Sequence, residues 1–143
     1  MSRKYSNDVL PTGLRVRHFD SGGAGPPVVL LHGLSNLIEI WDRVIARLST
    51  TFRVIAFDLP GFGASDRPRA SYDSEFFSAQ LAALLEFYGL KRAHLVGSSL
   101  GAGIIVRFSE RHLDRIDRAV IAAPGGFGRA THPMMRLPTL PLV

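Results

Sequence analysis

The sequence predicts an α/β fold whose sheet is mainly parallel and carries helices on both faces. Three observations lead to this. Short, largely apolar runs of strand length recur at Val28–Leu31, Phe52–Phe57, Ala93–Val96 and Ala119–Ala123. They lack the apolar/polar alternation of a half-exposed strand, the pattern of strands covered on both sides. Stretches with apolar residues at helical spacing separate them, and strands alternating with helices build a parallel sheet.

Taken in order, Leu14–Phe19 alternates apolar and polar residues and reads as a half-buried, antiparallel-type opening strand, followed by a turn-forming run from Ser21 to Pro27. Val28–Leu31 ends in His32 and Gly33 and is expected to be central in the sheet. Trp41, Val44, Ile45 and Leu48 share one helical face while Asp42, Arg43 and Arg47 fall elsewhere, so Trp41–Ser49 is an amphipathic helix with Trp41 as a packing residue. Phe52–Phe57 leads into Asp58 and a turn, Leu59-Pro60-Gly61-Phe62-Gly63-Ala64-Ser65, too glycine-rich to be regular. Phe77, Leu81, Leu84, Leu85 and Tyr88 mark a second helix, with Asp73 or Ser74 as N-cap and Gly89 as stop. Leu100, Ile104, Ile105 and Phe108 define a third, which opens almost directly after Ala93–Val96. Ala119–Ala123 is the fourth buried strand.

At 143 residues, 46% of them hydrophobic and 20% charged, the chain suffices for one packed domain. With no cysteine it forms no disulfide, thiolate metal site or cysteine nucleophile, which fits a reducing compartment; cytoplasm is the expected location. Met1–Leu10 has basic residues but no apolar core behind them, and no run approaches the ~18 apolar residues of a membrane span. The formal charge of +5 comes from scattered basic residues, which read as a solvated surface rather than a nucleic-acid patch.

Chemistry concentrates at Gly97-Ser98-Ser99-Leu100-Gly101, a G-x-S-x-G pattern set between a strand and a helix. A turn that tight strains the serine backbone, and flanking glycines remove the side chains that would clash. Ser99 is thereby presented at the top of the sheet as the candidate nucleophile, with Ser98 the lesser candidate. It also stands at a helix N-terminus, where free amides favour developing negative charge, so the amide of Leu100 is a natural oxyanion donor. The blander alternative is a serine that merely opens a helix. Gly61-Phe62-Gly63 has no helix opening behind it and is not read as a phosphate loop.

Leu31-His32-Gly33-Leu34, Asp58-Leu59-Pro60-Gly61-Phe62-Gly63-Ala64-Ser65 and Val96-Gly97-Ser98-Ser99-Leu100-Gly101, in that order and spacing, resemble the α/β hydrolase superfamily over nearly the whole chain. The resemblance implies a second oxyanion amide at Leu34. It implies that His32 is structural rather than the general base, and that Asp58 shapes its loop rather than serving as the triad acid. Ser98 departs from the histidine or asparagine common before the nucleophile. His18 and His94 read as structural or surface residues, and His112 and His132 lie outside any motif.

A serine nucleophile needs a base held by an acid, which in this family follow it as acid, then histidine. Some members place the acid after the strand matching Ala119–Ala123, but Pro124-Gly125-Gly126-Phe127-Gly128 holds no carboxylate. Both groups are therefore expected beyond Val143. Residues 1–123 are expected to be the N-terminal part of the hydrolase core, and 124–143 the start of a lid or connection. The fold is accordingly expected to be truncated before the lid and C-terminal strands. Ala122–Arg129 is similar to hydrolases that cleave carbon–carbon bonds of ring-fission products, and to related esterases. The implied activity is hydrolysis of an ester, or of a carbon–carbon bond next to a ketone, on a small apolar substrate and without cofactor or metal. The alternative is an inactive remnant that binds a ligand or partner through its exposed edge.

Overall fold

A short strand β1 (Ser6–Val9) opens the chain and pairs antiparallel with β2 (Arg15–Asp20), in the computed structural model that describes residues 4–124. The apolar run at Pro27–Leu31 forms β3. A 3-10 turn at Ile38–Trp41 then leads into α1 (Asp42–Leu48), so Trp41 precedes the helix rather than starting it. β4 (Arg53–Phe57), α2 (Ser74–Phe87), β5 (Ala93–Ser98), α3 (Leu100–His112) and β6 (Ile116–Ala122) follow.

The six strands form one sheet in the order β1-β2-β4-β3-β5-β6. β4, β3, β5 and β6 run parallel, while β2 joins β4 antiparallel. Because side chains alternate across a strand, Val28, Leu30, Val54 and Ala56 project to one face, where they bury Ile38, Trp41 and Ile45. Val29, Leu31, Ile55 and Phe57 project to the other, against Phe77, Leu81, Leu84 and Leu85 of α2 and Ile104, Ile105 and Phe108 of α3. Helices thus cover both faces. Burying each such aliphatic or aromatic side chain contributes roughly 1.5–3 kcal/mol. Of the two N-cap candidates for α2, Asp73 is the cap: its carboxylate accepts the Phe76 N–H at 2.8 Å.

One strand carries no sequence signal, one sequence expectation needs correction, and one open reading is decided. β1 lies in a segment with no apolar pattern; its Ser-Asn-Asp-Val residues are all exposed, and the backbone ladder to β2 makes the strand. The last strand begins at Ile116 and is exposed rather than buried, Val120 retaining 57% of its surface, because it is the sheet edge with no strand beyond it among the described residues. Of the structural and surface alternatives for His18, the structural one holds: it is buried, bonded to Asp8 at 2.9 Å and Tyr88 at 2.5 Å. The lid segment read at 124–143 lies outside the described residues except for Pro124.

β3 and β5 are neighbours, yet the chain leaves β3 for a helix on one face and β5 for a helix on the other. Open parallel sheets leave a crevice at the carboxyl ends of two such strands, and ligands bind there. Here it lies between the loop after Leu31 and the turn after Ser98.

Candidate active site

The turn from β5 to α3 consists of one residue, Ser99, with φ 52° and ψ −111°. No helical or extended residue occupies that region, and a side chain there is strained. Two glycines make the reversal possible. A Cβ on Gly97 would lie 2.5 Å from the Gly101 backbone, and one on Gly101 would lie 2.2 Å from the Leu31 carbonyl oxygen, so α3 starts in direct contact with β5 and β3. The Ser99 N–H donates to the Ala122 carbonyl at 2.9 Å, tying the turn to β6. Its hydroxyl makes no capping hydrogen bond to the helix.

The loop that carries Leu34 starts against this serine. A Cβ on Gly33 would come within 3.3 Å of both the Ser98 carbonyl oxygen and the Ser99 Cβ, so only glycine lets the backbone approach so closely. A turn follows, closed by the Asn36 N–H on the Gly33 carbonyl at 3.2 Å, with Ser35 in the left-handed region at φ 58°. Leu34 is exposed and Leu100 is partly buried at the first position of α3. Leu100 has no preceding turn to bond its amide, as at any helix start.

His32 is wholly buried and uses both ring nitrogens structurally. Nδ1 donates to the Gly33 carbonyl at 2.8 Å and Nε2 accepts the Leu59 N–H at 2.9 Å, which fixes a neutral tautomer. Burial pushes its pKa below the ordinary histidine value, against the opposing pull of the Gly33 carbonyl and the Asp58 charge. Asp58 is equally committed: Oδ1 accepts the Ile38 N–H at 2.9 Å, and Oδ2 accepts the Ala64 N–H at 3.0 Å and the Arg17 guanidinium at 3.1 Å. The resemblance implies a structural His32 and a loop-shaping Asp58, and the hydrogen bonds agree. Arg17 is a residue the sequence does not single out. The only local signal is that β2 turns Val16 and His18 into the α2–α3 side, which sends Arg17 to the opposite face.

The remaining described histidines have neighbours other than Ser99, and the buried Nδ1 of His94 has no hydrogen-bond partner. His18 bonds Asp8 and Tyr88, His94 meets the Phe52 ring edge-on with centroids 5.9 Å apart, and His112 lies against Phe108. His132 is outside the described residues. No helix among the described residues is long and apolar enough to cross a membrane.

A one-residue strained turn between a buried strand and a helix, faced by a His-Gly loop at a crevice of a parallel sheet, defines a class of hydrolase scaffold. The chain belongs to the α/β hydrolase fold family, whose model matches residues 26–142. It is 35% identical over 126 residues to an uncharacterized protein of Mycobacterium tuberculosis (strain ATCC 25618 / H37Rv), covering 88% of this chain and 37% of that one. It is 33% identical over 129 residues to 2-hydroxymuconate semialdehyde hydrolase of Pseudomonas sp. (strain CF600), covering 87% and 45% respectively. Among solved structures, it is similar to an enol-lactonase from Burkholderia xenovorans LB400, with a TM-score of 0.77, 28% identity, and 81% of this chain and 45% of that chain covered. The chain thus spans less than half the length of each of these proteins.

Proposed function

We propose that the chain carries the nucleophile and oxyanion hole of a serine hydrolase that acts on an ester, or on a carbon–carbon bond next to a ketone, of a small apolar substrate. Ser99 is the nucleophile, and the amides of Leu34 and Leu100 hold the developing oxyanion. The observation that carries this assignment is the strained conformation of Ser99, φ 52° and ψ −111°, at a turn that only its glycine neighbours permit. Non-glycine strain of ~1–3 kcal/mol persists where the surroundings over-determine it, and such sites cluster where function needs them.

In the proposed reaction the Ser99 hydroxyl adds to the substrate carbonyl as a base takes its proton. The two amides stabilise the oxyanion, the leaving group departs with the proton, and water releases the acyl group by the reverse sequence. Base and acid come from outside residues 4–124: His18 and His32 spend both ring nitrogens on other partners, His94 lies at the start of β5, the end opposite Ser99, and His112 closes α3. No cofactor is called on. The ester and carbon–carbon alternatives share these steps, and both draw support from relatives: one is named an enol-lactonase, and a lactone is a cyclic ester; the other is named a semialdehyde hydrolase.

The test is Ser99→Ala in the full-length protein, with p-nitrophenyl butyrate as probe ester and a fluorophosphonate as covalent label. Loss of turnover and of labelling in a folded variant is the expected result. Turnover that survives the substitution would exclude Ser99.

The exposed β6 edge favours one other reading, an inactive scaffold that binds a partner along that strand. It predicts no fluorophosphonate labelling of the unmodified protein, and labelling at Ser99 would reject it.

A further inference from the structure

Arg17 reaches two carboxylates at once. Its Nη1 donates to Asp58 at 3.1 Å and to Glu39 at 3.3 Å, and its Nη2 donates to the other Glu39 oxygen. The guanidinium lies over the Tyr5 ring, 3.9 Å from its centre. Main-chain bonds bind the same residue to the same loop. The Asp58 N–H donates to the Arg17 carbonyl at 2.9 Å, the Arg17 N–H donates to Ser65 Oγ at 2.9 Å, and the Ser65 hydroxyl donates to the Asp58 carbonyl at 2.6 Å.

Those two carboxylates sit where the Leu34 loop ends. The loop hangs from the 58–64 turn at both ends: at its start through His32 to the Leu59 N–H, and at its finish through the Ile38 N–H to Asp58. Glu39 is the next residue after Ile38. Asp58 has no exposed side-chain surface, and beside its two main-chain donors the structure sets one cation, Arg17, against it, so that removing the guanidinium would leave a buried carboxylate without its counter-charge. A planar guanidinium can hold two carboxylates in fixed directions, which a flexible ammonium cannot.

We propose that Arg17 is a positioning residue for the Leu34 oxyanion amide, acting through Asp58 and Glu39 to fix the far end of the loop. This inference rests on the assignment of Ser99 and Leu34 above. A donor aimed at the oxyanion acts on the transition state rather than on bound substrate, so disturbing its aim lowers kcat and spares KM. A purely structural arginine would instead lower the fraction of folded protein and leave kcat per active site alone.

The experiment compares Arg17→Met, Arg17→Lys, Asp58→Asn and the Arg17→Met/Asp58→Asn double variant in the full-length protein. Rates on p-nitrophenyl butyrate are normalised to sites titrated by fluorophosphonate, with Ser99→Ala alongside. Arg17→Met is expected to lose about tenfold to a hundredfold in kcat, short of the roughly hundredfold to thousandfold for a donor removed outright because the amide is misaimed rather than lost, with KM within about twofold. Arg17→Lys recovers part of the loss, and Arg17→Met adds little in the Asp58→Asn background. Unchanged kcat in folded Arg17→Met, or losses that simply multiply in the double variant, overturns the proposal. If Arg17→Met does not fold, Arg17→Lys decides: a reduced kcat supports the proposal and an unchanged one overturns it. Turnover by Ser99→Ala would instead sink the nucleophile assignment. Normal Arg17 variants beside a dead Ser99→Ala sink this inference alone.

Discussion

The Leu59 N–H donates to His32 Nε2 at 2.9 Å, so the ring just before Gly33 is an acceptor for the neighbouring turn. With Nδ1 donating to the Gly33 carbonyl, neither nitrogen is free to take a proton from Ser99. Protonating Nε2 would break the bond to Leu59 and bury a charge.

A pH dependence of stability follows. The folded-state pKa of His32 lies below the ordinary 6.5, with burial as the largest cause. Between the two values the unfolded chain binds the proton and the folded chain does not, so stability is intact above pH 6.5 and falls as pH drops through the folded pKa. One such group gives a slope of at most about 1.4 kcal/mol per pH unit. Thermal unfolding of the wild type and His32→Gln from pH 7.5 to 5 checks it: the wild type loses Tm more steeply than the variant across that window. Parallel curves would show that another group sets the dependence.

Asp73 provides a second test, at acid pH. Its carboxylate is held below the ordinary range chiefly by the Phe76 N–H it caps. The cap therefore stabilises α2 above the unfolded value of 3.8 and is lost as pH falls through the lower folded value. Asp73→Ala lowers Tm at pH 7, and the difference from wild type shrinks toward pH 2, whereas Ser74→Ala changes little. Equal effects of the two substitutions at pH 7 would contradict the assignment of Asp73 as the cap.

Gly101 and Gly13 separate close packing from backbone freedom. A Cβ on Gly101 meets the Leu31 carbonyl oxygen at 2.2 Å, a backbone atom that cannot swing aside, while Gly13 has φ 85° and nothing within 4 Å. Gly13→Ala carries only left-handed strain, ~1–2 kcal/mol. Gly101→Ala forces α3 off the sheet and is expected to cost more, about 3 kcal/mol or above, the range of severe core overpacking. Urea unfolding of the two variants ranks them, and a Gly13→Ala cost equal to or above that of Gly101→Ala would refute the ranking.

How much of this was legible depends on the range of the interaction. Val28–Leu31 and Val54–Phe57 are readable because a strand covered on both faces leaves an unbroken apolar run. β1 is not, since Ser6–Val9 is held by backbone pairing and a bond from Asp8 to His18, neither of which shapes local composition. In β6 the same apolar alphabet misleads: Val120 and Ile121 read as buried, but burial depends on what packs beyond the edge. The Ser99 turn shows in sequence because glycine is required on both sides. Arg17 does not, because its partners lie 22 and 41 positions away.

The strain at Ser99 is itself measurable. At φ 52° the Cβ of any L-residue is crowded, whereas glycine adopts this region freely. Ser99→Ala and Ser99→Gly both remove the hydroxyl, so their difference isolates the Cβ. Glycine relieves ~1–3 kcal/mol of strain but concedes roughly 0.5–1 kcal/mol of extra unfolded-state entropy. Ser99→Gly should therefore be more stable than Ser99→Ala by about 1 kcal/mol in urea unfolding. The alanine variant equalling or exceeding the glycine one would mean the turn is unstrained, removing the main physical support for reading Ser99 as a residue kept there for its hydroxyl. A glycine advantage would mean that the fold tolerates a standing cost at this one position, which packing alone gives it no reason to retain.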